Sequence, residues 1–235
     1  MIQITDLHKQ FGKLTVLDGL HLEIGEGGIF AVLGPNGSGK TTLIKTILGM
    51  VIPGRGDIRI KGQTVLGQWK YRNEINYLPQ IANFPANLTV RELIAMVKNL
   101  RPKNASDESL IRLFELEPFL DKKLGNLSGG TKQKVNIVLT FMFESELLIL
   151  DEPTTGLDPV SLIRLKELIR KEREKNRTIL ITTHIMSFVE EVADEIVFLL
   201  DGRIYFKGKT GDLKKQTGQK DLEHAIAKLI AKEDV

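Results

Sequence analysis

Gly34-Pro35-Asn36-Gly37-Ser38-Gly39-Lys40-Thr41 decides how this chain is read. The stretch matches Gly-x-x-x-x-Gly-Lys-(Ser/Thr), with the apolar run Gly28-Ile29-Phe30-Ala31-Val32-Leu33 before it and a helical pattern from Thr42 to Met50 after it. Glycine reaches backbone angles closed to other residues, so successive N–H groups can turn inward and cradle an anion. The helix that follows adds its positive N-terminal end. In such a cradle Lys40 reaches the outer phosphates of a nucleotide and the Thr41 hydroxyl ligates Mg²⁺. Asn36, Gly37, Ser38, Gly39, Lys40, Thr41 and Thr42 are the candidate nucleotide contacts.

Two further apolar runs end in chemistry. Leu147-Leu148-Ile149-Leu150 runs into Asp151-Glu152, and Thr178-Ile179-Leu180-Ile181-Thr182 stops just before His184. A buried strand does not tolerate two adjacent carboxylates without a cation or a shared proton. Asp151 is therefore the candidate for the Mg²⁺ shell, and Glu152 for the general base that polarises the attacking water. Continuous apolar strands, each followed by a helix, predict an α/β fold: a mostly parallel sheet covered on both faces, with ligands at the strands' C-terminal ends.

Between about residues 81 and 144 the texture changes to helical periodicity, which reads as a helical insertion. Thr89-Val90-Arg91-Glu92 is a capping box opening a helix to about Leu100, and Ser106-Asp107-Glu108 caps another through Phe114. Ile2 to Ile24, Gly56 to Gly62, and Ile196 to Phe206 around Asp201-Gly202 alternate with period two, which predicts a small antiparallel layer beside the main sheet. The core and this layer take about residues 1–80 and 145–220. A C-terminal amphipathic helix spans about residues 221–232, with Leu222, Ala225, Ile226, Leu229 and Ile230 on its apolar face. All 235 residues are expected to form one domain.

Composition bounds the rest. Hydrophobic residues make up 42% of the chain, enough for a substantial core, and the absence of cysteine excludes disulfides and thiolate metal sites. The N-terminus does not read as a secretory signal, and no stretch approaches the ~20 apolar residues that span a bilayer. Cytoplasm is the expected compartment. With 33 basic against 30 acidic residues, no nucleic-acid partner is expected. The C-terminal lysines Lys207, Lys209, Lys214, Lys215 and Lys220 read as a solvated face.

Leu127-Ser128-Gly129-Gly130-Thr131-Lys132-Gln133 lies between the phosphate loop and the acidic strand end, and opens a helix predicted to run to about Glu144. With it, the sequence resembles an ABC-transporter ATP-binding cassette over essentially its whole length. The resemblance implies a P-loop NTPase core that binds and hydrolyses ATP with Mg²⁺. It implies that Ser128, Gly129 and Gly130 grip the γ-phosphate held by an opposite subunit, so that a homodimer or a paired cassette sandwiches two ATP molecules. It further implies that Gln80 touches Mg²⁺ and links core to insertion, that Asp158 belongs to the D-loop, and that His184 is the switch histidine contacting the γ-phosphate. Lys40, Glu152 and His184 are then the catalytic set, and Thr41, Gln80 and Asp151 the metal set.

Phe11 stands where the family usually stacks a tyrosine on adenine, an interaction of roughly 1–3 kcal/mol per base. Thr131-Lys132-Gln133-Lys134 and Gly156 also depart from the family's commoner residues. The implied partner is an integral membrane permease subunit, which places the chain peripherally at the inner face of the cell membrane. Ile81 to Asn87, with exposed Phe84 and Pro85, reads equally as the surface that meets it or as a structured loop. The competing reading is a soluble ABC-type ATPase acting on ribosomes or nucleic acid. The ending and the stretch from Pro79 to Glu92 resemble export-type cassettes, including the copper-maturation ATPase of nitrous-oxide reductase assembly.

Overall fold

Two sheets share the molecule, and the sequence alternation decides which residues join them. In the computed structural model, which describes residues 1–101 and 104–231, the chain opens with β1 (Ile2–Phe11) and β2 (Leu14–Ile24), an antiparallel pair. There follow β3 (Gly28–Leu33), α1 (Lys40–Ile47), β4 (Arg55–Ile60), the two-residue β5 (Gln63–Thr64) and β6 (Ile75–Leu78). The helical stretch contributes α2 (Val90–Leu100), α3 (Asp107–Leu113) and α4 (Gly129–Phe141). Next come β7 (Leu147–Asp151), α5 (Pro159–Glu174), β8 (Thr178–Thr183) and α6 (Met186–Val192). The chain continues through β9 (Glu195–Leu200), β10 (Arg203–Gly208), α7 (Thr210–Thr217) and α8 (Leu222–Ala231).

The main sheet has the order β10-β9-β3-β8-β7-β6, and the smaller one β2-β1-β4-β5. In the main sheet β9-β3, β3-β8, β8-β7 and β7-β6 all pair parallel. The expectation for Ile196 to Phe206 is corrected here. This hairpin is the edge of the main sheet, with β9 parallel to β3 and β10 antiparallel to β9. Period-two alternation suits either sheet, and packing of Ile196 and Phe198 against α8 selects the main one.

Both faces of the central strands are buried, which is why they read as unbroken apolar runs. Leu148, Leu150, Ile179 and Ile181 face a cluster with α2 to α5. Leu147, Ile149 and Leu180 face the opposite cluster with α1 and the antiparallel sheet. Each such fully buried side chain contributes about 1.5–3 kcal/mol of transfer free energy. A third cluster seats α8 through Leu222, Ala225 and Ile226 beside Val189 of α6, with Leu229 and Ile230 half-buried against it. Residue 232, within the expected span of the last helix, lies outside the described residues.

Helix boundaries depart from expectation for local reasons. The helix after the phosphate loop starts at Lys40, directly after Gly39 at φ 104°, and stops before Gly49 at φ 64°. Thr89 forms its capping box with Glu92. Ser106 does not cap α3 with its side chain; it sits outside the extended cap geometry, at φ −101° and ψ 41°. The helix α4 ends at Phe141, three residues before Glu144. Phe84, expected on the surface, is half-buried and packs against the helical cluster, whereas Pro85 is exposed as expected and Ile81 is the exposed large apolar residue of that loop.

Candidate functional site

The parallel strands deliver their C-terminal ends to one side of the sheet, and the phosphate loop joins β3 to α1 there. Gly37 and Gly39 have φ of 86° and 104°, the left-handed region that lets the loop fold back. Gly39 must also be small, because a Cβ there would sit 2.8 Å from the Val16 carbonyl oxygen. Lys40 is 7% exposed, and its Nζ donates to the Gly34 carbonyl at 2.7 Å and the Pro35 carbonyl at 3.0 Å. Burial lowers the Lys40 pKa, and the nearby Glu152 and Asp151 carboxylates oppose that shift.

Asp151 is 1% exposed at the end of β7. The Thr182 hydroxyl donates to its Oδ1, and the Thr41 hydroxyl also bonds to it. Burial nevertheless pushes its carboxyl above the ordinary aspartate range, and adjacent Glu152 adds to that. Glu152 adopts φ 48°, an uncommon backbone for a non-glycine residue, fixed by its N–H donating to the Thr182 carbonyl at 2.9 Å. Glu152 Oε1 lies within hydrogen-bond distance of His184 Nδ1, at 3.0 Å. Glu152 Oε2, Ser38 Oγ and Thr154 Oγ1 are buried and have no hydrogen-bond partner among the described residues. A ligand that supplies donors and acceptors here would relieve a real desolvation cost.

A cleft of ≈ 360 Å³ gathers Asn36, Gly37, Gly39, Lys40, Thr41, Thr42, Gln80 and Glu152. Leu14 and Val16 form its apolar wall, and no motif marks either. The available signal was the hairpin: Leu14 lies directly across from Phe11 in the β1-β2 register. Phe11 itself is not part of the wall. It lies at the hairpin tip, half exposed, with Lys9 Nζ 4.9 Å from its ring centroid.

The glycine-rich signature stands apart from this cleft. Ser128 caps α4 by accepting from Thr131 N–H at 3.2 Å, and Gly129 and Gly130 form the first turn, exposing its unpaired amides. Asp158 caps α5 in the same way, accepting from Ser161 N–H at 2.8 Å with Pro159 in the first turn. Its carboxyl is held far below the usual aspartate range, first by its hydrogen bond with Lys134 and then by those from Ser161.

Donors around Asp151 suit Mg²⁺. One buried carboxylate and one hydroxyl leave the other positions to phosphate oxygens and water, as this small, reluctantly dehydrated cation prefers. A dedicated cage is not built: no group of three acids or histidines gathers among the described residues.

A strand, a glycine-rich anion loop, a helix, and a buried Asp-Glu pair at the end of a parallel strand one removed from the first define a P-loop ATPase. The family model described as ABC transporter matches residues 17–155. The bacitracin transport ATP-binding protein of Bacillus licheniformis is 35% identical, across 97% of this chain and 75% of that protein. The Nod factor export ATP-binding protein I of Rhizobium etli is 34% identical, across 90% of this chain and 69% of that protein. A solved ATP-binding subunit of an ABC transporter superposes with a TM-score of 0.89 at 31% identity, covering 98% of this chain and 99% of its own. A dimeric cassette bound to ADP and Pi in a post-hydrolysis state, 24% identical with a TM-score of 0.80 over 89% of this chain and 98% of its own, shares the fold. This chain belongs to the ABC transporter family, as its ATP-binding and ATP-hydrolysing cassette. No helix among the described residues is long and apolar enough to cross a membrane.

Proposed function

We propose that this cassette drives an export-type transporter by closing with a second cassette around ATP and separating from it after hydrolysis. The observation that carries the catalytic part is the division of labour on Glu152. His184 holds Oε1, while Oε2 is a buried acceptor without a partner on the residue that lines the phosphate cleft. An acceptor held in that way is suited to take a proton from water attacking a phosphate on Lys40. Asp151, Thr41 and Gln80 would hold Mg²⁺, which supplies charge neutralisation on the phosphates. Lys40 leaves its two loop carbonyls for the phosphates and keeps a fixed positive charge beside them.

The signature residues Ser128, Gly129 and Gly130 form the N-terminus of α4 and do not line this chain's own cleft, which suits a phosphate brought by a partner cassette. An integral membrane permease is the further partner, and the inner face of the membrane its place. The apolar surface offered to it includes Ile81, Met50, Trp69 and Leu100, all more than half exposed. Three of these flank a seam where Arg72 bonds the Gly49 carbonyl and Arg101 the Asn73 and Ile75 carbonyls. We treat residues 1–235 as one cassette, with 81–144 as its insertion. The transport names of the relatives favour this reading over action on ribosomes or nucleic acid.

The test is Glu152→Gln with Mg²⁺-ATP on size-exclusion chromatography beside a hydrolysis assay. The amide cannot accept the proton, so hydrolysis falls by about 10²–10⁴-fold while ATP persists and a dimer accumulates. Adding Ser128→Arg fills the anion site and returns the protein to monomer. Wild-type hydrolysis by Glu152→Gln would refute the base; an inactive, ATP-loaded monomer would refute the sandwich.

A further inference from the structure

Lys134 lies on the second turn of α4 and is absent from the phosphate cleft. Its side chain is 18% exposed, and its Nζ is 2.8 Å from Asp158 Oδ2. That carboxylate is already committed, with Oδ1 accepting from Ser161 N–H and Oδ2 from Ser161 Oγ, each at 2.8 Å. Lys134 therefore binds the group that starts α5 and fixes the end of the Thr155-to-Asp158 turn. Other contacts from the same helix reach neighbouring loops. Gly130 approaches the turn so closely that a Cβ would lie 2.6 Å from the Gly156 carbonyl oxygen. Gln133 Nε2 donates to the Pro153 carbonyl at 3.1 Å, one residue after Glu152. Asn136 Nδ2 donates to the Pro79 carbonyl at 3.0 Å, one residue before Gln80.

Thus the first two turns of α4 touch the segments that carry Glu152, Gln80 and Asp158. Two of the contacts are neutral hydrogen bonds to carbonyls and one is a glycine contact; the Lys134 contact is charge-assisted, the stronger kind. A second ion pair braces the same corner, Arg164 of α5 to Glu115 after α3 at 2.5 Å. Its side chains are 24% and 67% exposed, against 18% and 49% for Lys134 and Asp158, so screening weakens it somewhat more.

We propose that Lys134 is a positioning residue that locks the signature end of α4 to the Asp158 turn, so that a phosphate gripped by Ser128 in one half of the dimer shifts the Glu152 loop of the same chain. This inference rests on the sandwich reading above. The lock makes the two nucleotide sites respond to each other: a chain whose signature is engaged has its own Pro153 and Asp158 segments held in place. Without the ammonium, α4 keeps its cap, its core face and the Gly130 and Gln133 contacts, and loses its one charged tie to Asp158, which loosens the coupling between signature and turn. Positioning errors of about 1 Å cost up to about 10²-fold in rate, so the effect belongs on turnover and cooperativity and not on nucleotide capture.

The experiment compares wild type, Lys134→Met and Lys134→Arg as full chains. Fluorescent ATP-analogue affinity, thermal midpoint, and ATPase rate against ATP concentration are measured for each. Lys134→Met is expected to keep nucleotide affinity within about twofold, lose roughly tenfold or more in kcat at little change in KM, and lower the Hill coefficient toward one. Lys134→Arg, which keeps the charge and the donors, restores both turnover and cooperativity. A Lys134→Met protein with wild-type kcat and Hill coefficient overturns the proposal, as does a loss of rate that Lys134→Arg does not rescue. Glu152→Gln run alongside separates the two readings: its failure to dimerise with ATP removes the sandwich, whereas its dimerisation with an unaffected Lys134→Met removes only the lock.

Discussion

Asp151 carries its charge where the fold disfavours it. Its pKa is raised by burial, so the folded chain holds this proton to higher pH than the unfolded one does. Its contribution to stability is therefore full below the unfolded value near 3.8 and declines as pH rises through the folded value, leaving a cost at neutral pH. Asp151→Asn should raise the nucleotide-free thermal midpoint at pH 7, an advantage that shrinks toward pH 4, while abolishing Mg²⁺-dependent ATPase; calorimetry across pH checks it. Lys40→Ala should weaken ATP binding by roughly 10–100-fold, the worth of charge-assisted hydrogen bonds, in a chain that remains folded. Titration with a fluorescent analogue measures this, and unchanged affinity would overturn the assignment. At this scale the cleft was largely legible: Lys40, Thr41, Gln80 and Glu152 can be named from motifs and line one cavity. Leu14 and Val16 were not, because a hydrophobic wall has no motif and depends on which way a hairpin leans.

Elements report where propensity and contact disagree. Glycine in the first turn of α4 costs about 1 kcal/mol against alanine, so Gly130→Ala should favour the isolated helix. The 2.6 Å approach to the Gly156 carbonyl oxygen reverses that preference, since backbone at both ends cannot yield cheaply. Gly130→Ala is expected to fold and bind ATP yet fail to dimerise in the Glu152→Gln background, read by light scattering. Strands β3, β7 and β8 were legible because burial on both faces leaves continuous apolar runs. The helix α7 was not, since among its eight residues only Leu213 and Thr217 are buried and the rest look like a lysine-rich loop. The partner of Ile196 to Phe206 was equally hidden, because a strand's own alternation does not say which sheet adopts it.

Over the whole molecule, Met50, Trp69, Ile81 and Leu100 stand out as large apolar side chains more than half exposed. On the proposed pairing with a membrane permease, co-expression with such a subunit should raise ATPase severalfold over the isolated chain, and Ile81→Asp should weaken co-purification without altering nucleotide affinity. An Ile81→Asp chain that still co-purifies fully would move the docking surface elsewhere. The turn between β9 and β10 braces the phosphate loop. The Asp201-Gly202 turn closes onto that loop: Gly202 N–H donates to the Ser38 carbonyl at 3.2 Å, and its own carbonyl accepts from Asp18 N–H at 3.1 Å. Arg203 pairs with Asp18 beside it, and a Cβ on Gly202 would strike the Val16 carbonyl. The loop at 34–41 is thus propped by residues made some 160 positions later. During synthesis, a growing chain carries the complete phosphate-binding sequence some 160 residues before the turn that braces it is made.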